Sequence, residues 1–167
     1  SVRYRGDGAL APRPVFAHGL VFVSAGYLRS DLLAIRPDGR GDVTDTHVVW
    51  RASKGAPLGP ALLALGDELY AVNQAGLATC WDARTGQVHW QEKIGGPHSA
   101  APLAANGRLY FLAESGTTTV LKAGREFTVL ATNLLDETAF ASPAAIEGAL
   151  FIRTTHHLYR IGETRPH

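Results

Sequence analysis

An all-β chain follows from three features of the sequence. The apolar runs are short, the turn residues are spread evenly, and one pattern recurs four times. Leu20 to Val23, Leu69 to Val72, Leu109 to Leu112 and Leu150 to Ile152 are each too short for a globular helix, and they are rich in β-branched and aromatic residues. The 18 glycines and 9 prolines punctuate the whole length, as many short strands joined by turns require. Pro60 to Leu65 is apolar but is cut off by Gly66 before a helix could form.

The recurring pattern is a proline, a few small or apolar residues, a glycine turn and an apolar-aromatic strand. It runs from Pro14 through Gly19 to Phe22, from Pro60 through Gly66 to Tyr70, from Pro102 through Gly107 to Tyr110, and from Pro143 through Gly148 to Phe151. The glycines are 47, 41 and 41 residues apart. A polar or small turn and a third strand follow each time: Leu32 to Arg36, Leu77 to Asp82, Thr118 to Ala123 and His157 to Ile161. Val48 to Arg51, Val88 to Glu92 and Phe127 to Ala131 supply a fourth strand to three of the repeats. Four short strands every 40 to 45 residues is the signature of a propeller blade. A lone four-stranded sheet cannot bury both its faces, whereas neighbours stacked around an axis can. The chain is therefore expected to hold about four blades of four antiparallel strands, with repeats at 12–58, 59–100, 101–141 and 142–162. Gly19, Gly66, Gly107 and Gly148 are expected in equivalent turns between first and second strands.

The first repeat carries extra residues in a turn-rich stretch, Asp38 to Asp45, read as a lengthened loop. The last stops after about three strands. Val2-Arg3-Tyr4 reads as an orphan strand, belonging to an upstream blade or completing the last one. With no Met and a Ser at position 1, the chain reads as a piece of something longer.

Composition narrows the function classes. Sixteen Lys and Arg against 15 Asp and Glu give a net charge of +1, without the basic excess that nucleic-acid binding draws on. No apolar run approaches the roughly 18 residues of a membrane span. Neither a signal peptide nor another targeting signal is found within the sequence. The single cysteine, Cys80, cannot form an internal disulfide, which suits a reducing compartment or a periplasmic domain that uses none. Cys80 lies in an apolar strand and reads as a buried, inert thiol. There is no Gly-x-Ser-x-Gly, His-Glu-x-x-His or phosphate-cradling glycine loop. His156 and His157 are neighbours on a strand and point to opposite faces, so they do not grip one ion. Asp38, Asp42 and Asp45 offer oxygens but lack EF-hand spacing. His98 lies in a connection between repeats. Arg5-Gly6-Asp7 reads as a chance tripeptide. No catalytic residue and no metal ligand is assigned.

The segment Cys80-Trp81-Asp82-Ala83-Arg84-Thr85-Gly86-Gln87-Val88-His89-Trp90 resembles the Asp-x-x-Thr-Gly-x-x-x-Trp motif of pyrroloquinoline-quinone (PQQ)-type propeller repeats. Leu69-Tyr70-Ala71-Val72 precedes it by one hairpin, as in that family. Asp82, Thr85 and Gly86 set a tight turn, and Trp90 is large enough to cover the flank of a neighbouring blade. The first repeat carries a stretched version that ends in Trp50, and the third has no Trp. Trp50 and Trp90 are expected to be buried against neighbouring blades. Over residues 12 to 162 the chain is similar to the C-terminal part of bacterial PQQ-binding-like propellers, the group related to the outer-membrane assembly lipoprotein BamB. Seven or eight blades are usual there, so the resemblance implies about half a propeller.

The fold hosts both enzymes and scaffolds. The leading reading is a non-catalytic scaffold that binds a protein or peptide, extracytoplasmic or periplasmic in a bacterium, with no cofactor. Open terminal blades are expected to favour self-association. A second reading is part of a PQQ- and calcium-dependent alcohol or sugar dehydrogenase. By resemblance such an enzyme uses an Asp base, Glu and Asn metal ligands and vicinal cysteines, and the chain has only one cysteine. A third is the sensor domain of a larger protein such as a membrane kinase.

Overall fold

Four antiparallel sheets follow one another along the chain, each with its strands in sequence order. The computed structural model describes residues 1–4, 12–26 and 30–162, and the tripeptide Arg5-Gly6-Asp7 lies outside them. Blade 1 comprises β1 (Val15–Ala17), β2 (Leu20–Ala25), β3 (Asp31–Ile35) and β4 (Val48–Ala52), with a short helix α1 (Thr44–His47) between β3 and β4. Blade 2 comprises β5 (Leu63–Leu65), β6 (Glu68–Val72), β7 (Leu77–Asp82) and β8 (Val88–Lys93). Blade 3 comprises β9 (Leu103–Ala105), β10 (Arg108–Leu112), β11 (Thr117–Lys122) and β12 (Val129–Leu134). Among the described residues blade 4 has three strands, β13 (Ala144–Ile146), β14 (Ala149–Arg153) and β15 (Leu158–Gly162). The architecture is a partial β-propeller of about four blades.

Two-residue hairpins join first and second strands. His18-Gly19, Asn106-Gly107 and Glu147-Gly148 have φ positive at both positions, as the right-handed twist of a tight hairpin demands. Blade 2 differs: Gly66 (φ +60°) takes the first turn position and Asp67 the second, so Gly66 sits one residue earlier than the other three glycines. The middle strands are buried on both faces and therefore read as near-continuous apolar runs rather than alternating ones. In the three complete blades the pairing of third and fourth strands shifts at one equivalent place, at Ala34/Ile35, Cys80/Trp81 and Val120/Leu121.

The core lies between blades. Phe22, Leu32 and Trp50 of blade 1 meet Leu69, Ala71 and Trp81 of blade 2. Tyr70, Cys80 and Trp90 of blade 2 meet Leu109, Phe111 and Leu121 of blade 3. The seam between blades 3 and 4 is thinner, with Leu112, Ala139 and Ile152 at its centre. Inner strands touch in series: β1 with β5, β5 with β9, β9 with β13.

Three expectations are corrected. Val2-Arg3-Tyr4 forms no strand; the N-terminus lies along the lengthened loop of blade 1. There the Val43 amide donates to Ser1 O (2.8 Å), the Arg3 amide to Thr44 Oγ1 (2.8 Å), and Arg3 Nε pairs with Asp42 Oδ2 (3.0 Å). The Asp38 to Asp45 stretch is not turns alone, because it runs into α1, whose opening Asp42 steadies by accepting from the Thr44 amide (3.1 Å) and hydroxyl (2.6 Å). The fourth strand of blade 3 begins at Val129 and not at Phe127, whose ring instead meets Trp90 edge-on with centroids 5.3 Å apart.

Candidate functional site

The residues of the Asp82 to Trp90 segment act as a staple between blades. Asp82 Oδ1 accepts from the amides of Arg84 (3.0 Å) and Thr85 (2.9 Å) and from the Thr85 hydroxyl (3.0 Å). Burial alone would raise the Asp82 carboxyl, but the Thr85 amide and hydroxyl hold it below the usual carboxylate range. The Gly86 amide closes the turn on Asp82 O (2.9 Å). Gly86 has φ +73°, and a Cβ there would lie 2.6 Å from the ring of Trp50, so glycine is needed twice over. Trp50 comes from blade 1. Its indole covers this turn of blade 2, and its Nε1–H donates to Ala83 O (3.0 Å).

The arrangement repeats one blade on. Trp90 Nε1–H donates to Gly124 O (3.1 Å) in blade 3, and the Gly124 amide donates to the Tyr70 hydroxyl (2.9 Å). Each tryptophan also rests on an aromatic residue of its own blade, Trp50 on Phe22 (5.8 Å) and Trp90 on Tyr70 (6.1 Å). Trp50 and Trp90 are 9% and 7% exposed. Burial pushes the Cys80 thiol up to about 12, which leaves it unreactive beneath Trp90. Ala34 pairs with Trp50 and Cys80 with Trp90; in blade 3 the same register pairs Val120 with Ala131. The third seam therefore lacks an indole.

The hub offers little chemistry. Every residue of β1, β5, β9 and β13 is Ala, Val, Leu, Ile or Phe. Among the described residues no three His, Cys, Asp or Glu side chains converge as metal ligands. A quinone with a calcium ion at the axis needs carboxylates and amides there. The inner strands supply neither; Asn106 and Glu147, in the hairpins that follow β9 and β13, line a pocket of about 290 Å³ with Ala104, Ala105 and Ile146. Asp42 is engaged with Thr44 and Arg3, and Asp38 faces His47 (3.5 Å), so these two acidic residues of the lengthened loop are spent locally. His98 is buried in the connection between blades 2 and 3. Its Nδ1 contacts Gly96 O (2.8 Å), and burial lowers its pKa.

A polar knot joins blades 3 and 4. Glu137, in the connection between them, accepts from the Thr154 hydroxyl (2.5 Å), the His156 amide (3.2 Å) and the Tyr159 hydroxyl (3.2 Å), and it pairs with His157 Nδ1. The Thr154 bond, followed by those of His157 and His156, lowers the Glu137 carboxyl to about 2 from 4.5. A depressed carboxyl stabilises the fold fully above its unfolded pKa. That contribution is lost as pH falls from about 4.5 through about 2. Glu137→Gln is expected to flatten the fall in stability across this window, measured by denaturant unfolding at each pH. A curve parallel to the parent's would show that the knot contributes nothing.

The sequence did not announce this knot, since its members lie in a connection, a turn and a strand without a shared motif. It also passed over Trp81, which is fully buried between blades 1 and 2 with its Nε1 unpartnered, and the Arg125 to Glu68 ion pair (3.0 Å) across blades 2 and 3.

Residues 39–126 match the family profile described as outer membrane protein assembly factor BamB. No curated protein matches the chain. Among solved structures, BamB from Moraxella catarrhalis is 12% identical with a TM-score of 0.68, and the match covers 87% of this chain and 40% of that one. The computationally designed protein Ika4 is 14% identical with a TM-score of 0.71, over 97% of this chain and 96% of that one. Quinohemoprotein alcohol dehydrogenase ADHIIG from Pseudomonas putida HK5 is 16% identical with a TM-score of 0.69, over 90% of this chain and 29% of that one. At these identities the likeness is one of fold. The chain spans well under half the length of the two natural proteins. The matched profile covers more than half of the sequence, on a fold of PQQ-like propeller blades, and the chain belongs to the BamB family of outer membrane protein assembly factors.

Proposed function

We propose that the chain is a non-catalytic propeller module that binds a protein partner, in an extracytoplasmic setting in a bacterium. The observation that carries this reading is the wholly apolar set of inner strands, which offers a quinone and its metal no carboxylate or amide side chain. The BamB family match supports an assembly or scaffolding role at the outer membrane. Among the described residues no helix is long and apolar enough to cross a membrane. The outer flanks of blades 1 and 4, where Phe16, Val49 and Leu158 are exposed, are the surfaces through which self-association would run.

The likeness to a quinohemoprotein alcohol dehydrogenase favours the second reading, part of a PQQ- and calcium-dependent dehydrogenase. Dialysis of the chain against PQQ with excess calcium separates the two. The module is expected to retain no quinone and to reduce no dye with a primary alcohol. Stoichiometric retention of PQQ would overturn the scaffold reading. A photo-crosslinker placed in the connection between blades 1 and 2, at Leu58, is expected to trap one discrete polypeptide in cells.

A further inference from the structure

Tryptophan seals two of the three seams, and among the described residues nothing takes that place in the third. Trp50 closes the seam between blades 1 and 2, and Trp90 the seam between blades 2 and 3; in the same register blade 3 carries Ala131. Tyr110, which matches Phe22 and Tyr70 in the hairpin register, has no indole resting on it. A cleft of about 440 Å³ opens there on blade 3, lined by Arg108, Tyr110, Val120, Leu130, Ala131 and Asn133. A separate compartment of about 220 Å³ shares Tyr110 and Asn133 with it and is walled by Leu150, Ile152 and Ile161 of blade 4. Apolar cavities of roughly 150 Å³ accept benzene-sized rings, so an indole is within its capacity. Two of the lining residues are exposed apolar side chains: Leu130 is 49% exposed and Ile161 44%.

We propose that the cleft between blades 3 and 4 is a docking socket for a tryptophan side chain presented by a polypeptide partner. The inference rests on the scaffold reading and names the chemistry of its partner. The chain itself states what fits: at the two equivalent places it seats an indole against a Phe or Tyr face and satisfies the indole N–H. In the open seam Tyr110 supplies the aromatic face, Leu150 and Ile161 the apolar wall, and the Asn133 side chain an amide oxygen for the N–H. The inner compartment is bounded by aliphatic and aromatic groups with the Asn133 amide and the Thr118 hydroxyl, and none of its lining residues carries a charge, so a neutral aromatic group suits it better than an ion; Arg108 lies in the lining of the outer cleft.

The probe is N-acetyltryptophanamide, titrated into the full chain and followed by NMR. Saturable shifts are expected at Tyr110, Leu150 and Ile161, and none with N-acetylalaninamide. Ala131→Trp places the missing indole in the chain itself. It is expected to weaken probe binding about tenfold or more, the scale of one lost aromatic contact, and to raise the melting temperature by ~3 °C or more. Ala131→Leu provides the same block with a smaller group if the Trp variant does not fold. Probe shifts that map elsewhere, or that persist unchanged in a folded variant, overturn the socket. A folded Ala131→Trp variant that still traps the same polypeptide from Leu58 while binding no probe also overturns it, and leaves the scaffold reading standing.

Discussion

Trp90→Ala is expected to lower the free energy of unfolding by about 3–5 kcal/mol, the range for removing a large buried aromatic side chain. The indole fills the seam between blades 2 and 3, rests on Tyr70 and Phe127, and donates to Gly124 O. Removing it empties that space and takes the indole N–H from the half-buried Gly124 carbonyl, which keeps only the weak Cys80 Sγ donor (3.8 Å). A domain of this size has about 5–15 kcal/mol to lose, so the variant should stand near the limit of folding. Chemical denaturation decides the matter: a midpoint equal to the parent's would mean that the seam does not depend on the indole. Trp50→Ala, at the equivalent place in blade 1, should behave alike, because its contacts with Phe22 and Ala83 repeat those of Trp90.

Gly76→Ala is expected to be comparably damaging for a different reason. Gly76 has φ +78°, and a Cβ there would be driven into the Gly95 carbonyl and lie 2.6 Å from Gly96 O. Both obstacles are backbone, at the point where the chain leaves β8 and the Ile94 amide donates to Gly76 O (2.9 Å). The left-handed torsion alone costs an alanine about 1 kcal/mol, and displacing the outer strand's exit should bring the total to about 2–4 kcal/mol. Gly107→Ala is the matched control. Gly107 has φ +70° with open space around its missing Cβ, so that variant should show the torsional cost alone. Equal melting temperatures for the two variants would refute the steric account.

Much of this fold was legible because its information is repeated. Proline and glycine recur with the strands, and Trp50 and Trp90 mark the outer strands that close two seams. The absence of a tryptophan from the third repeat was equally visible, but its consequence was not. That required the register in which Ala131 faces Val120. Features unique to one blade escaped because no second copy reveals them. Val2-Arg3-Tyr4 has the alternation of a strand, yet three residues do not specify a partner, and the partner is the loop found only in blade 1. A four-residue helix such as α1 is too short to show a period. Gly66 was aligned by identity, whereas its hairpin uses the first turn position, a difference only torsion angles expose. The Glu137 knot depends on hydrogen bonds between residues 17 to 22 positions apart and leaves no trace in composition.

The described packing runs between blades that are neighbours in sequence, in the manner of a row of coupled units rather than one undivided core. The couplings are unequal. Two are clamped by indoles, while the third relies on a few aliphatic contacts and the Glu137 knot. Cooperativity should break where coupling is weakest. The least costly opening of this molecule is then the release of blade 4 as a unit, with blades 1 to 3 still folded and Leu112 newly exposed to water. Unfolding thus acquires a direction along the chain, from the C-terminal blade inward, set by a single position at which the repeat placed alanine.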